Sequence, residues 1–335
     1  MAYLLPTNIT DADYLHASAR VRALESSLLT PERLRRMAEA TSDQDALKVL
    51  SECGYGEDLS LENLDQAIQK KREDAFSEAE KMLPDPTLLN IFRLKFDYHN
   101  IKCLLKANAQ NQPFEQLLLN GGSLPLTKLL QATAENDFAD FPPLMREAAN
   151  EALEVLQRTH DPRLADTALD RAMFAQMLQM ATASSIKFLV EYVKLTIDSA
   201  NLRLVVRLYK MGQEPARIAE FASPGGNLSL DRLRTDFTAE AIEAAYLNTP
   251  LQAAAQVGAE ALRGQNSLAA VDQAADNALM HYLRQAKYIA IGAEPVLAFY
   301  AAAELESTVV NTVMAGRKAG QKPDTIMERL RMTYV

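Results

Sequence analysis

Tryptophan is absent from these 335 residues, and cysteine, histidine, glycine and proline are scarce at 2, 4, 12 and 14. Cys53 and Cys103 stand singly among helix formers with no CxxC spacing, which argues against a disulfide framework and for buried thiols in a reducing compartment. Glycine and proline both fall below the roughly 7% and 5% of an average chain, while Ala, Leu, Glu, Gln, Lys, Arg and Met dominate. A mostly helical protein is expected. Excess positive charge is also missing: 35 Lys and Arg face 44 Asp and Glu, for a net charge of −9. With no basic run long enough to follow a phosphate backbone, nucleic acid is not an expected partner. The longest apolar stretch, Tyr288 to Ala303, is interrupted by Glu294 and Pro295. It falls short of the roughly 18 to 20 apolar residues that a membrane span needs. The N-terminal MAYLLPTNITDADYLH lacks the positive n-region of a signal peptide. A soluble protein is expected, one that can still dock on something in a membrane.

Catalytic motifs are missing too. There is no GxxxxGK[ST], no GxGxxG after a strand, no HExxH, no GxSxG, no DDxxD and no Cys/His cluster at zinc spacing. Of the scattered His16, His99, His160 and His281, His99 lies on an expected helix beside Asp97 and Asn100. A metal or general-base role there needs a second His or Cys nearby, which we read as lacking locally, so an ordinary structural histidine is expected. No catalytic residue, cofactor or metal is expected. One competing reading keeps an all-α enzyme built around Asp97, His99 and Asp198.

What the sequence does contain is a repeat. FDYHNIKCLLK from Phe96, IDSANLRLVVR from Ile197 and LESTVVNTVMA from Leu305 align without gaps. Each opens on an apolar residue and an acid: Asp97, Asp198 or Glu306. Counted from the acid, positions +4, +7 and +8 are Ile101, Leu104, Leu105; Leu202, Val205, Val206; and Val310, Val313, Met314. That spacing lays one apolar stripe along a helix. Two copies share Asn at +3 (Asn100, Asn201) and a cation at +5 and +9 (Lys102, Lys106; Arg203, Arg207), where the third has Val309, Asn311 and Ala315. Pro113, Pro215 and Pro323 follow at 16 or 17 residues and mark the start of a short helix, since proline is tolerated in a first helical turn. A fourth copy is read in ARVRALESSLL, which leads to Thr30 and Pro31 as N-cap and first helical residue.

Long connectors lie between the copies. A seam through Leu61, Leu64, Ile68, Ala75, Ala79 and Met82 is followed by helices over Leu144 to Leu156, Leu164 to Leu178, Ala239 to Leu262 and Val271 to Tyr288. Gly121-Gly122 and Pro224-Gly225-Gly226 are turn signals at like places. The acids are 101 and 108 residues apart, a period of about a hundred that predicts three units over 1–112, 113–214 and 215–335. The repeated polar residues are expected to make structural hydrogen bonds within each unit. The cations Lys102, Lys106, Arg203 and Arg207 are candidates to face acidic groups on a partner, against the commoner reading of a solvated helix face. Asn201→Ala is expected to cost about 1 kcal/mol if that residue is structural.

At these residues the sequence resembles the C subunit of V-type and A-type rotary ATPases, a family that includes the d subunit of the eukaryotic vacuolar enzyme. The resemblance rests on YLHASARVRALESSLL from Tyr14, LPDPTLLNIFRLKFDYHNIKCLLKA from Leu83, FLVEYVKLTIDSANLRL from Phe188 and AGRKAGQKPDTIMERLRMTYV from Ala315. It implies three similar helical-bundle subdomains arranged with pseudo-threefold symmetry as a funnel. It further implies a non-catalytic central-stalk rotor subunit, on the cytoplasmic side and peripheral to the membrane. Such a socket couples the D and F subunits of the shaft to the membrane proteolipid ring and transmits torque for ATP-linked H+ or Na+ transport. The isolated chain is expected to be a monomer, its symmetry being internal. The alternative from another class is a free-standing helical scaffold that binds some other protein in its funnel.

Overall fold

The computed structural model describes residues 9–110, 115–233 and 238–335, and those residues contain helices and no strand. The fold is all-α. In chain order the helices are α1 (Leu15–Glu25), α2 (Pro31–Glu39), α3 (Asp43–Glu52), α4 (Leu64–Met82), α5 (Asn90–Gln110), α6 (Leu126–Glu135), α7 (Pro143–Thr159) and α8 (Pro162–Ala183). They continue as α9 (Lys187–Lys210), α10 (Ile218–Phe221), α11 (Leu230–Leu233), α12 (Ala239–Ala245), α13 (Gln252–Leu262), α14 (Leu268–Arg284), α15 (Glu294–Lys318) and α16 (Pro323–Glu328). Two compact units result, one from the chain up to Leu89 with Ala269–Val335, the other from Asn90–Leu268.

Each repeated motif lies in a long helix, α5, α9 or α15, and every residue of its predicted apolar stripe is buried. In the first unit, Val309, Val310, Val313 and Met314 of α15 form a common core with side chains of α2, α3 and α4, joined by Ile326 and Leu330. Local signals fix the ends of these helices. Pro31 and Pro323 open α2 and α16, and the Thr30 hydroxyl accepts the Arg33 N–H at 3.3 Å. Pro215 opens a short 3-10 turn before α10. Pro113 lies outside the described residues.

In the second unit, α7 and α8 form a tight hairpin turning at His160, which adopts φ +53°. Helix α8 packs on both α5 and α9. Two expected helices are corrected. Leu61 precedes α4 and is exposed. The stretch from Ala239 to Leu262 is two helices, because Asn248 turns left-handed (φ +60°) and Pro250 offers no N–H to a continuing ladder. The alanines there serve close packing: Ala254, Ala255 and Ala259 are buried, and a Cβ on Gly258 would come within 3.0 Å of Val206 on α9.

Candidate functional site

The three repeated acids are buried, and burial alone would make a carboxylate costly unless its oxygens found donors. Each finds at least one in the backbone just ahead of a short helix. Asp97 accepts the N–H groups of Ser123 (2.8 Å) and Leu124 (3.1 Å) and the Ser123 hydroxyl (2.6 Å). Asp198 accepts the N–H groups of Asn227 (2.8 Å) and Leu228 (3.2 Å). Glu306 accepts the Leu29 N–H and the Tyr55 hydroxyl, the latter at 3.2 Å. Leu124, Leu228 and Leu29 each stand two residues before the first residue of α6, α11 and α2. The register is therefore the same three times. In the third clasp the donors come from the start of the chain, so Glu306 ties α15 to a segment 277 residues away.

This corrects the reading of a fourth copy near the N-terminus. Glu25, its acid, pairs with Arg22 one turn away on α1. The leucine that follows it belongs to the clasp of Glu306.

The asparagines make a second lock. Asn100 donates to the Leu119 carbonyl at 2.9 Å and accepts its N–H at 2.8 Å; Asn201 does the same with Ser223 at 2.8 and 2.9 Å. Leu119 and Ser223 both lie five residues before the leucine held by the neighbouring acid. Removing the Asn201 amide strands two backbone groups, so Asn201→Ala is expected to cost about 2 kcal/mol. Chemical denaturation checks this. Unchanged stability together with lost assembly would show that Asn201 serves a partner instead.

Of the repeated cations, Lys102 pairs with Asp170 and Lys106 with Asp166 at 3.1 Å, both across to α8. Arg203 is half-buried and Arg207 exposed on α9. Sequence reasoning missed a set of arginines that cap carbonyls left open at helix ends and turns. Arg22 reaches Ala286, Lys287 and Ile289; Arg317 reaches Met37, Ala38 and Ala40; Arg171 reaches Ala219 and Ala222; Arg93 reaches Gly121 and Gly122. Orphaned carbonyls and the partial negative charge of a helix C-terminus both favour a guanidinium there. No motif announces such contacts, because the partners are distant in sequence.

Burial pushes Asp97 and Asp198 above the usual carboxylate range, against the lowering effect of the N–H donors. Glu306 is raised most, to about 7: burial dominates, opposed by the Leu29 N–H, the nearby Lys71 charge, the Tyr55 hydroxyl and Arg33. Lys71 is itself lowered by burial and donates to the Cys53 carbonyl at 2.7 Å. Cys53 is buried in the core of the first unit.

The acid–base arrangement considered for Asp97, His99 and Asp198 is not assembled. Asp97 and Asp198 are held by two different loops, and His99 Nε2 lies 3.0 Å from the Leu117 carbonyl. One local reading needs correction: Cys103, one turn beyond His99, brings its sulfur within 3.4 Å of Nε2. Among the described residues, no group of three or more His, Cys, Asp or Glu side chains could hold a metal ion. What the clasps can do is mechanical. They fasten connecting loops to long helices through short, partly charged hydrogen bonds in a dry setting.

The sequence model of the ATP synthase (C/AC39) subunit family matches residues 17–329. The chain belongs to this family. Within it, the chain is 28% identical over 231 residues to the C subunit of the V-type ATP synthase of Thermus thermophilus, covering 66% of this chain and 70% of the relative. It is 21% identical over 325 residues to the C subunit of the V-type sodium ATPase of Enterococcus hirae, covering 96% and 99%. The C subunit of the A-type ATP synthase of Thermococcus kodakarensis is 27% identical over 235 residues, covering 66% and 64%. As a C/AC39 subunit the chain is part of a rotary ATPase, and its partners are other subunits of that complex. None of its described helices is long and apolar enough to cross a membrane.

Proposed function

We propose that this C/AC39 subunit is a non-catalytic rotor adaptor, a socket on the cytoplasmic side of the membrane that joins the D/F shaft to the proteolipid ring and carries torque between them. The observation that supports this most is the carboxylate clasp repeated in one register at Asp97, Asp198 and Glu306. A part that transmits torque must resist shear between its helices. Loops fastened by buried carboxylates and asparagines resist it, because sliding a loop would strand several buried polar groups at about 1–3 kcal/mol each. We extend the proposal to three related units divided near residues 112 and 214, arranged as a funnel around the shaft. The repeated polar residues hold each unit together, while Arg207 is exposed on α9.

Affinity purification of the tagged chain from its native cells tests the reading. The shaft subunits and the proteolipid ring are expected in constant ratio to it. Membranes lacking the chain are expected to retain ATP hydrolysis in the detached catalytic part and to lose ATP-driven ion transport. A chain that purifies without any of these partners overturns the proposal and favours a free-standing scaffold.

A further inference from the structure

His99 and Cys103 stand one turn apart on α5, where side chains at i and i+4 share a face. Both are half-buried, and neither belongs to the locks made by the neighbouring Asp97 and Asn100. Their polar atoms meet a third. His99 Nε2 lies 3.4 Å from Cys103 Sγ and 3.0 Å from the Leu117 carbonyl oxygen, and Sγ is 4.0 Å from that same oxygen. Hydrogen bonding serves this triangle poorly in either imidazole tautomer. A proton on Nε2 goes to the Leu117 carbonyl and leaves the thiol facing an oxygen 4.0 Å away. With Nε2 bare, the thiol donates to the ring nitrogen, but two lone pairs then oppose each other at 3.0 Å. A cation among the three atoms would accept all of their lone pairs at once.

We propose that His99 Nε2, the Cys103 thiolate and the Leu117 carbonyl form three corners of a tetrahedral site for a zinc-class divalent ion, with water at the fourth. The size of the triangle selects the ion. A Zn–S bond of about 2.3 Å with Zn–N and Zn–O bonds of about 2.1 Å separates the corners by about 3.6 Å (S to N), about 3.4 Å (N to O) and about 3.6 Å (S to O). The observed 3.4, 3.0 and 4.0 Å each fall within about 0.4 Å of these. A linear two-coordinate ion with similar bonds needs sulfur and nitrogen about 4.3 Å apart, and thiolate with imidazole suits neither Mg2+ nor Ca2+. Lys102 and Lys106 flank Cys103, but their charges are offset by Asp170 and Asp166 on α8. The third donor is a backbone carbonyl, so the site needs no group of three metal-binding side chains. Binding sends the thiol proton to solvent, and the imidazole keeps its proton on Nδ1. Leu117 belongs to the connection that Asn100 holds at Leu119 and Asp97 at Ser123, so the ion adds a third staple between that connection and α5.

Titration of the full chain with Co2+, a spectroscopic stand-in for Zn2+, tests the site. One equivalent per chain is expected to give a thiolate-to-cobalt charge-transfer band and the strong visible bands of tetrahedral Co2+, both bleached by Zn2+ and untouched by Mg2+. Cys103→Ser is expected to abolish the charge-transfer band, and His99→Ala to weaken Co2+ binding at least about tenfold. Circular dichroism of both variants is expected to match the native chain. Cys53→Ala, in the core of the first unit, is expected to keep the band. In the unmodified chain Zn2+ is expected to slow amide exchange over residues 117–124, a measurement that stands whether or not the variants fold. Four results overturn the proposal: no charge-transfer band, a band that survives Cys103→Ser, one ion shared between two chains, or exchange over 117–124 that Zn2+ leaves unmoved.

Discussion

Gly226→Ala is expected to lower the unfolding free energy of this subunit by about 3 kcal/mol, at the upper end for overpacking. A Cβ at this position would meet the Asp198 carboxylate, with its carboxyl carbon only 2.7 Å away, a separation that real Cβ atoms do not adopt. The carboxylate cannot swing aside without releasing the Asn227 and Leu228 N–H groups. Gly122 stands in the same relation to Asp97, so Gly122→Ala is expected to behave alike. The preceding glycines have a different requirement: Gly121 and Gly225 sit at φ +106° and +100°, where a side chain is strained whatever the space. Gly212, at φ +64° with nothing within 4 Å of a new Cβ, separates the two effects and is expected to cost only about 1 kcal/mol as alanine. Urea denaturation of the three variants measures the difference. In an Asp198→Ala background the cost of Gly226→Ala is expected to fall by more than half, the non-additivity expected of groups in contact. Equal costs in both backgrounds would show that the clash is not with Asp198.

Glu306→Gln is expected to remove a pH dependence of stability worth about 3 kcal/mol. With its pKa raised from 4.5 to about 7 in the folded protein, Glu306 keeps a proton there that the unfolded chain has already released. Between those values the folded state binds more protons than the unfolded state, so stability falls as pH rises. The contribution is fully present below about pH 4.5 and is lost as pH passes through about 7. At about 1.4 kcal/mol per pH unit the interval gives the stated magnitude. Glutamine keeps an acceptor for the Leu29 N–H and does not titrate. The stability of Glu306→Gln relative to the native chain is therefore expected to climb by about 3 kcal/mol between pH 4.5 and 8. Parallel curves for the two proteins would show that Glu306 does not hold its proton in the folded state. Lys71, Tyr55 and Cys53 lie around the same carboxylate, and repeating the comparison in a Lys71→Met background checks that the dependence does not come from the Lys71 charge.

Much of the architecture was legible from residue order. Composition predicted an all-α chain, and the positions at +4, +7 and +8 from each acid are the buried stripes of α5, α9 and α15. Thr30-Pro31 and Pro323 mark helix starts because capping chemistry acts within a few residues of chain. The Ala239 to Leu262 stretch was misread as one helix because alanine propensity outweighed a single proline in the pattern, whereas one missing N–H and one left-handed residue suffice to end a helix.

The polar partners were not legible. Asp97 and Asp198 stand out by their recurrence, yet nothing near them names a donor: the N–H groups they accept lie 26 to 30 residues onward. For Glu306 they lie at the other end of the chain. By itself the sequence determined the helices, their buried faces and which polar positions recur, because helix formation and amphipathicity are set over a few turns of neighbouring residues. Only the tertiary structure decided that the recurring acids fasten loops and that the third clasp is completed by the opposite end of the chain. A buried carboxylate takes whatever donors folding brings within 3 Å or so, and that meeting is set by packing rather than by spacing along the chain.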